Sequence, residues 1–119
     1  MNIGETGKTG ENKAAQYLQS KGYIITGRNV QFRSGEIDII AENDEYIVFV
    51  EVKTRKNADF AEAREYVGRT KQQRIMKSAM LYLSRHDTGK QPRFDVIEVY
   101  LPEGLFGRTK INHIENAFM

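Results

Sequence analysis

One segment limits this chain more than any other. Residues 46–53, Tyr-Ile-Val-Phe-Val-Glu-Val-Lys, form an almost unbroken run of β-branched and aromatic side chains that ends in two opposite charges. Period-two alternation puts Ile47, Phe49, Glu51 and Lys53 on one face and Val48, Val50 and Val52 on the other. A strand that is apolar on both faces is covered on both faces, so it belongs in the interior of a sheet with a layer above and a layer below. Glu51 and Lys53 then stand at the end of a central strand, where its buried part meets a cleft.

The flanking segments supply the other elements. Gly35 to Ala41 alternates, with Ile37, Ile39 and Ala41 facing one way and Glu36, Asp38 and Ile40 the other. Glu42, Asn43, Asp44 and Glu45 are polar and turn-forming, so the two runs read as a β-hairpin. Thr6 to Lys21 reads as a helix with an apolar stripe at Ala14, Ala15 and Leu18, and Gly22 suits its C-terminal cap. Tyr23 to Asn29 is a short β-type run. Arg55 to Glu65 is charged and weakly patterned, as a loop is. A second helix is expected from Gly68 or Arg69 to Arg85, burying Ile75, Ala79, Tyr82 and Leu83. Gly89 to Pro92 breaks the chain. Arg93–Tyr100 and Lys110–Ile114 read as strands around a loop at Pro102–Thr109. The order α, three β, α, two β implies an α/β or α+β architecture, a mixed sheet flanked by helices. A length of 119 residues suits one domain, residues 1–119.

Composition removes several function classes. There is no cysteine, which excludes disulfides, thiolate zinc sites and a cysteine nucleophile. Apolar residues at 39% and charged residues at 29% describe a globular chain. No apolar run is long enough to span a bilayer and no hydrophobic segment opens the chain, so the expectation is a cytoplasmic protein without a membrane partner. A net charge of +2 permits a nucleic-acid partner without arguing for one.

The hairpin carries the chemistry. A two-residue turn at Asn43 and Asp44 would set Asp38 opposite Phe49 and Glu36 opposite Glu51. Directly opposed residues share a face, so Asp38 and Glu51 would point into the same space. Carboxylate oxygens are the natural ligands of magnesium, which keeps several waters and accepts phosphate oxygens. A metal so held lowers the pKa of a bound water and neutralises phosphate charge. Lys53 would position or activate that water and stabilise the developing charge. The plain alternative is an ion pair: Glu and Lys at i, i+2 on one strand face often form one, and ordinary ion-pair networks also perturb titrating groups.

The sequence Gly35-Glu36-Ile37-Asp38, a hairpin, then Val50-Glu51-Val52-Lys53 resembles the PD-(D/E)xK nuclease signature, with Ile37 where the superfamily often has proline. Gly10-Glu11 before Ala14-Ala15, Tyr17-Leu18, Gly22-Tyr23, Arg28-Asn29, Lys71, Arg74-Ile75, Ala79, Tyr82-Leu83, Arg93-Phe94-Asp95-Val96 and Ala117-Phe118 extend the likeness over nearly the whole chain. It resembles the YraN-like family of candidate endonucleases, similar in fold to archaeal Holliday-junction resolvases and restriction endonucleases. That resemblance implies a restriction-endonuclease-like fold and a magnesium-dependent endonuclease, with manganese able to substitute. It implies Asp38 and Glu51 as metal ligands, Lys53 as the catalytic lysine and the carbonyl of Val52 as a further ligand. It also matches Glu11 to an acid supplied from the first helix. Glu11, Ala14, Ala15 and Leu18 fall at i, i+3, i+4, i+7, so a carboxylate continues the apolar stripe. The alternative for Glu11 is a first-turn acid favoured by the helix dipole.

Lys71, Arg74 and Lys77 recur at three-residue steps beside Arg69, and Arg55, Lys56 and Arg64 could extend the set. This is either a solvated helix face or a track for phosphates. Gln72 or Gln73 could add a polar contact. Gly7-Lys8-Thr9 lacks the upstream glycine and strand of a phosphate loop and reads as a basic arm. His86 and His113 read as a helix end and a strand surface. The functional expectation is a metal-dependent phosphodiesterase acting on DNA, with branched or damaged structures among the candidate substrates. The alternatives are an RNA-directed nuclease and a non-catalytic nucleic-acid-binding or recruitment module. A homodimer is plausible only by analogy with junction resolvases.

Overall fold

The structure, a computed structural model, describes residues 3–55, 67–102 and 107–118. Five strands lie in a single sheet in chain order: β1 (Ile24–Phe32), β2 (Gly35–Glu42), β3 (Tyr46–Arg55), β4 (Gln91–Tyr100) and β5 (Lys110–Ile114). β3 is the middle strand. It pairs antiparallel with β2 and parallel with β4, and the outer pairs β1–β2 and β4–β5 are antiparallel. Parallel neighbours need a long crossover, and the chain between β3 and β4 contains the helix α2 (Arg69–Arg85).

The two faces of β3 bury separate cores. Val48 and Val50, with Ile39, Ala41, Ile97 and Val99, pack under Ala14, Ala15 and Leu18 of α1 (Ile3–Ser20). Ile47 and Phe49, with Ile40, Phe94, Val96 and Phe118, pack under Ile75 and Ala79 of α2. The result is α/β, a central mixed sheet flanked by helices in a restriction-endonuclease-like arrangement. No helix among the described residues is long and apolar enough to cross a membrane.

Several boundaries differ from the sequence expectations. α1 begins at Ile3, not Thr6, so Gly7-Lys8-Thr9 is helical and not a loose arm. Gly10 permits this: a Cβ there would lie 1.9 Å from Thr54 Oγ1, so only glycine lets the helix come this close to β3. The helix ends in a Schellman motif, as Gly22 suggested. Gly22 has φ 92°, its N–H donates to the Gln19 carbonyl, and the Tyr23 N–H donates to the Leu18 carbonyl at 3.0 Å.

The hairpin turn is at Asp44–Glu45, one residue later than expected. The Asn43 N–H donates to the Tyr46 carbonyl at 3.0 Å, while Asn43 Oδ1 accepts from the N–H groups of Glu45 and Tyr46. This Asx arrangement fixes the turn and pairs Ile39 with Val50 and Ala41 with Val48. Asp38 opposite Phe49 and Glu36 opposite Glu51 are therefore incorrect by two residues. Two residues is one full pleat, so no side chain changes face. Ile37 does depart from the expected alternation. β2 pairs with β3 only as far as Ile39, and the free β1–β2 ribbon beyond it carries Ile37, Val30 and Phe32 to the α2 side. Two-stranded ribbons twist more strongly than full sheets.

β1 runs on to Phe32, past Asn29, after a register shift between Ile25 and Gly27. β4 starts at Gln91, whose N–H donates to the Glu45 carbonyl at 3.0 Å. On α2, Tyr82 and Leu83 are half-buried, not buried, and Ser78 is fully buried, within hydrogen-bond reach of Ser34 Oγ at 2.6 Å. Most of the loop expected at Arg55–Glu65, with Lys56 and Arg64, lies outside the described residues, as does the middle of the loop at Pro102–Thr109.

Candidate active site

The site forms where the β2–β3 ladder opens. Beyond Ile39–Val50 no further pair joins the two strands. The Asp38 carboxylate fills the gap: its Oδ2 accepts from the Val52 N–H at 2.8 Å. A backbone donor that would otherwise be orphaned is satisfied, and the carboxyl is held beside Glu51. Glu51 follows Phe49 on the α2 side of β3 and is buried, with 7% of its surface exposed. Lys53, two residues on, brings its Nζ to 3.9 Å from Glu51 Oε1. The three residues that the alternation placed together are together.

The electrostatics separate this group from a closed ion pair. Asp38 is pushed up to about 7, first by burial, then by the charge of Glu51, with smaller contributions from Glu11 and Glu36. The Val52 hydrogen bond opposes these effects without overcoming them. Like charges crowded into a half-buried space raise one another's pKa.

Glu11 is held differently from Asp38 and Glu51. Its side chain is 20% exposed, so it does not simply continue the buried stripe. Asn29 Nδ2 donates to Glu11 Oε1 and to Glu36 Oε1, both at 2.8 Å, and the Arg28 guanidinium lies 4.0 Å from Glu11. Asn29 adopts φ 48°, a left-handed conformation that asparagine tolerates better than most side chains. It clamps two carboxylates from different elements at the rim of the site. Sequence reasoning gave Asn29, Arg28 and Glu36 no role. The signal available was an asparagine within a β-type run, which marks a backbone irregularity.

The basic residues divide. Lys71, in the first turns of α2, turns inward and forms a salt bridge to Glu51 Oε1. Burial opposes the Lys71 charge, but the hydrogen bond and charge of Glu51 outweigh it and raise its pKa. Arg74 and Lys77 are exposed. Arg74 lines an open cleft of about 350 Å³ with Ser34, Gly35, Glu36, Lys71 and Ile75. Arg55 ends β3, and its carbonyl accepts from the Leu101 N–H at 2.7 Å. Gln72 is used structurally, donating to the Val67 carbonyl at 2.7 Å.

His86 caps the C-terminus of α2, as expected. His113 does not lie on a strand surface. Its side chain is 7% exposed, and Nε2 sits 2.6 Å from Asp95 Oδ2 while Nδ1 faces the Tyr17 hydroxyl at 3.1 Å. The physical reason is α1, which packs over β4 and sets the Tyr17 ring edge-on against His113, with centroids 5.4 Å apart.

Among the described residues, no three Asp, Glu, His or Cys side chains converge closely enough to hold a metal ion. The donors do fit a hydrated magnesium, which takes one or two carboxylates and keeps most of its waters. Asp38 and Glu51 supply two acids, and the carbonyl of Val52 between Glu51 and Lys53 supplies a neutral oxygen.

Comparison with known proteins gives the family of the chain. The model of the uncharacterised protein family UPF0102 matches residues 10–99. A UPF0102 protein of Caldanaerobacter subterraneus is 47% identical over 99% of this chain and 98% of its own length. One from Clostridioides difficile is 45% identical over 99% of this chain and all of its own. A more distant relative from Flavobacterium psychrophilum is 40% identical over 96% of this chain and 93% of its own. With a matching family model across three-quarters of its length and relatives aligned end to end, this chain belongs to UPF0102, the YraN family.

Proposed function

We propose that the protein is a metal-dependent endonuclease that hydrolyses phosphodiester bonds in DNA. The observation that carries this reading is the convergence of Asp38, Glu51 and Lys53 at the open end of the β2–β3 ladder. There Asp38 is driven up to about 7 by burial and by its acidic neighbours. A structural ion pair has no use for a second carboxylate that costs stability. A hydrolytic site has: a pocket of crowded acids is one that a cation relieves.

Asp38, Glu51 and the Val52 carbonyl would hold magnesium or manganese, which supplies an acidified water and charge neutralisation at the phosphate. Glu11 stands at the rim, where it contributes negative potential to Asp38 and meets Asn29. Lys53 orients the attacking water and stabilises charge growing on the phosphoryl oxygens. Arg74, on the cleft beside Lys71, and the exposed Lys77 one turn on would give the phosphate backbone of a nucleic acid a place to rest.

The test is a panel of single-stranded, duplex and branched DNA with matched RNA, incubated with magnesium or manganese and with chelator. Wild type is expected to cut at least one DNA substrate, to stop with chelator, and to lose about a hundredfold or more in rate on Lys53→Ala. Calcium is expected to bind without supporting turnover, because its looser geometry positions the water poorly. Cleavage that survives chelator, or a Lys53→Ala protein as active as wild type, overturns the proposal. An RNA-only pattern keeps the chemistry and changes the substrate.

A further inference from the structure

The salt bridge between Lys71 and Glu51 joins two side chains of very different standing. The Glu51 side chain is 6% exposed and fixed on the central strand, whereas the Lys71 side chain is 48% exposed and reaches in from a helix. Glu51 therefore has two cations, Lys53 from its own strand and Lys71 from α2. Only one can leave cheaply. Lys53 is anchored two residues away and is 18% exposed. Lys71 has a long, flexible stem and a side chain that is 48% exposed, and it reaches Glu51 from a separate element, so it can swing away by rotamer changes alone.

Lys71 also has somewhere to go. It lines the cleft of about 350 Å³ between the β1–β2 turn and α2, together with Arg74. Gly35 leaves that cleft open: it adopts φ 147° and brings no side chain, and a Cβ there would lie 4.0 Å from the Cβ of Arg74. Two cations, Lys71 and Arg74, outnumber the one carboxylate on the cleft, Glu36, which accepts from Asn29 Nδ2, and so the cleft suits a phosphate group.

We propose that Lys71 is a displaceable internal counter-ion, occupying Glu51 in the metal-free protein and moving to a substrate phosphate in the cleft beside Arg74 when a divalent cation takes the carboxylate. This rests on the metal-dependent reading of the site above. The exchange couples two binding events. A divalent cation without nucleic acid must compete with Lys71 for Glu51, and nucleic acid without a cation finds the lysine engaged elsewhere. Together each lowers the cost of the other, a reciprocal linkage. Lys71 is a positioning residue here: it acts on the metal through Glu51.

Calorimetry with calcium, which is expected to bind without cleaving, reads this directly on the full chain, with and without a short DNA duplex. Lys71→Ala is expected to bind calcium roughly five- to tenfold more tightly than wild type in the absence of DNA, since one competing cation is gone. Lys71→Arg keeps the charge and is expected to stay near wild type. DNA is expected to tighten calcium binding to wild type, and to do so much less for Lys71→Ala, which has no lysine to transfer. A merely structural Lys71 would give weaker or unchanged calcium affinity on truncation, and either result overturns the inference. Asp38→Asn separates the two levels of argument. Calcium binding that is lost in Asp38→Asn but indifferent to Lys71→Ala removes the counter-ion and leaves the nuclease reading standing. If neither calcium nor manganese binds wild type, both fall.

Discussion

Two aspartates flank the central strand, one on β2 and one on β4, and their surroundings push them in opposite directions. Asp95 is fully buried, which by itself would raise its pKa, yet the balance is lowered. Arg93 donates to both its oxygens, at 2.9 and 2.8 Å, His113 Nε2 lies 2.6 Å from Oδ2, and the Asn116 N–H donates to Oδ1 at 3.0 Å. Asp38 has the Val52 N–H and, around it, Glu51, Glu11 and Glu36, and it rises to about 7. Burial is common to both. Partners decide the sign. A buried carboxylate with every lone pair answered ties elements together, and one surrounded by its own kind holds free energy that a cation or loss of its charge releases.

The Asp95 side of the comparison gives the largest expected effect. Asp95→Ala would leave the buried Arg93 guanidinium with the Tyr23 hydroxyl at 2.6 Å, the Tyr46 ring and the largely exposed Glu115 at 3.9 Å. Breaking one side of a buried pair costs about 3–5 kcal/mol. Chemical denaturation of the variant is expected to show a loss in that range. A loss under about 1 kcal/mol would mean that the network contributes little, and the contrast with Asp38 would lose its structural half.

His113→Ala is expected to cost less, about 1–3 kcal/mol, because Asp95 keeps Arg93 and the Asn116 N–H after the imidazole is gone. The double variant with Asp95→Ala is expected to be less destabilised than the sum of the two singles, since both act on one network. Strict additivity would show that His113 serves Tyr17 and not Asp95.

The same local pattern, an acid and a base two residues apart on one strand face, occurs twice among the described strands and has two outcomes. At Arg93 and Asp95 the ion-pair reading is correct. At Glu51 and Lys53 the pair stays 3.9 Å apart with Asp38 and Lys71 beside it. Sequence spacing shows which side chains share a face, and that sufficed for the hairpin, the central strand and the Asp38–Glu51–Lys53 group. It cannot show what arrives from elsewhere. Tyr17 and His113 are 96 residues apart in the chain and meet only because α1 packs on the sheet face that carries His113. Three-residue steps put Lys71, Arg74 and Lys77 along one side of α2. They do not reveal that the first of them is long enough and near enough to the central strand to reach Glu51. The turn was misplaced by one residue because Asn43 works through its side-chain oxygen, which no count of turn-forming residues registers.

The most discriminating expected effect has the opposite sign, a gain and not a loss. Asp38→Asn keeps an oxygen to accept from the Val52 N–H and removes the charge. With a folded pKa of about 7 and an ordinary value of 3.8, Asp38 holds a proton in the folded state that the unfolded chain has already released. Where the folded state binds more protons, stability falls as pH rises, so wild type loses stability to this group between about pH 4 and pH 7. The variant has no such group. Its stability relative to wild type is therefore expected to be unchanged below pH 4, to grow through that window, and to level off above pH 7 as a higher Tm. Added manganese is expected to raise the Tm of wild type at pH 8 and to do little for the variant, because a ligand stabilises only the state that binds it. Asp95 supplies the internal contrast: its lowered pKa stabilises the fold above its ordinary value, and that contribution is lost only as pH falls through the folded pKa. Thermal melts of wild type and Asp38→Asn across this range, each with and without manganese, are the measurement. A variant that melts clearly lower than wild type at pH 8, with wild type indifferent to manganese, would place Asp38 beside Asp95 as a structural carboxylate and end the catalytic assignment.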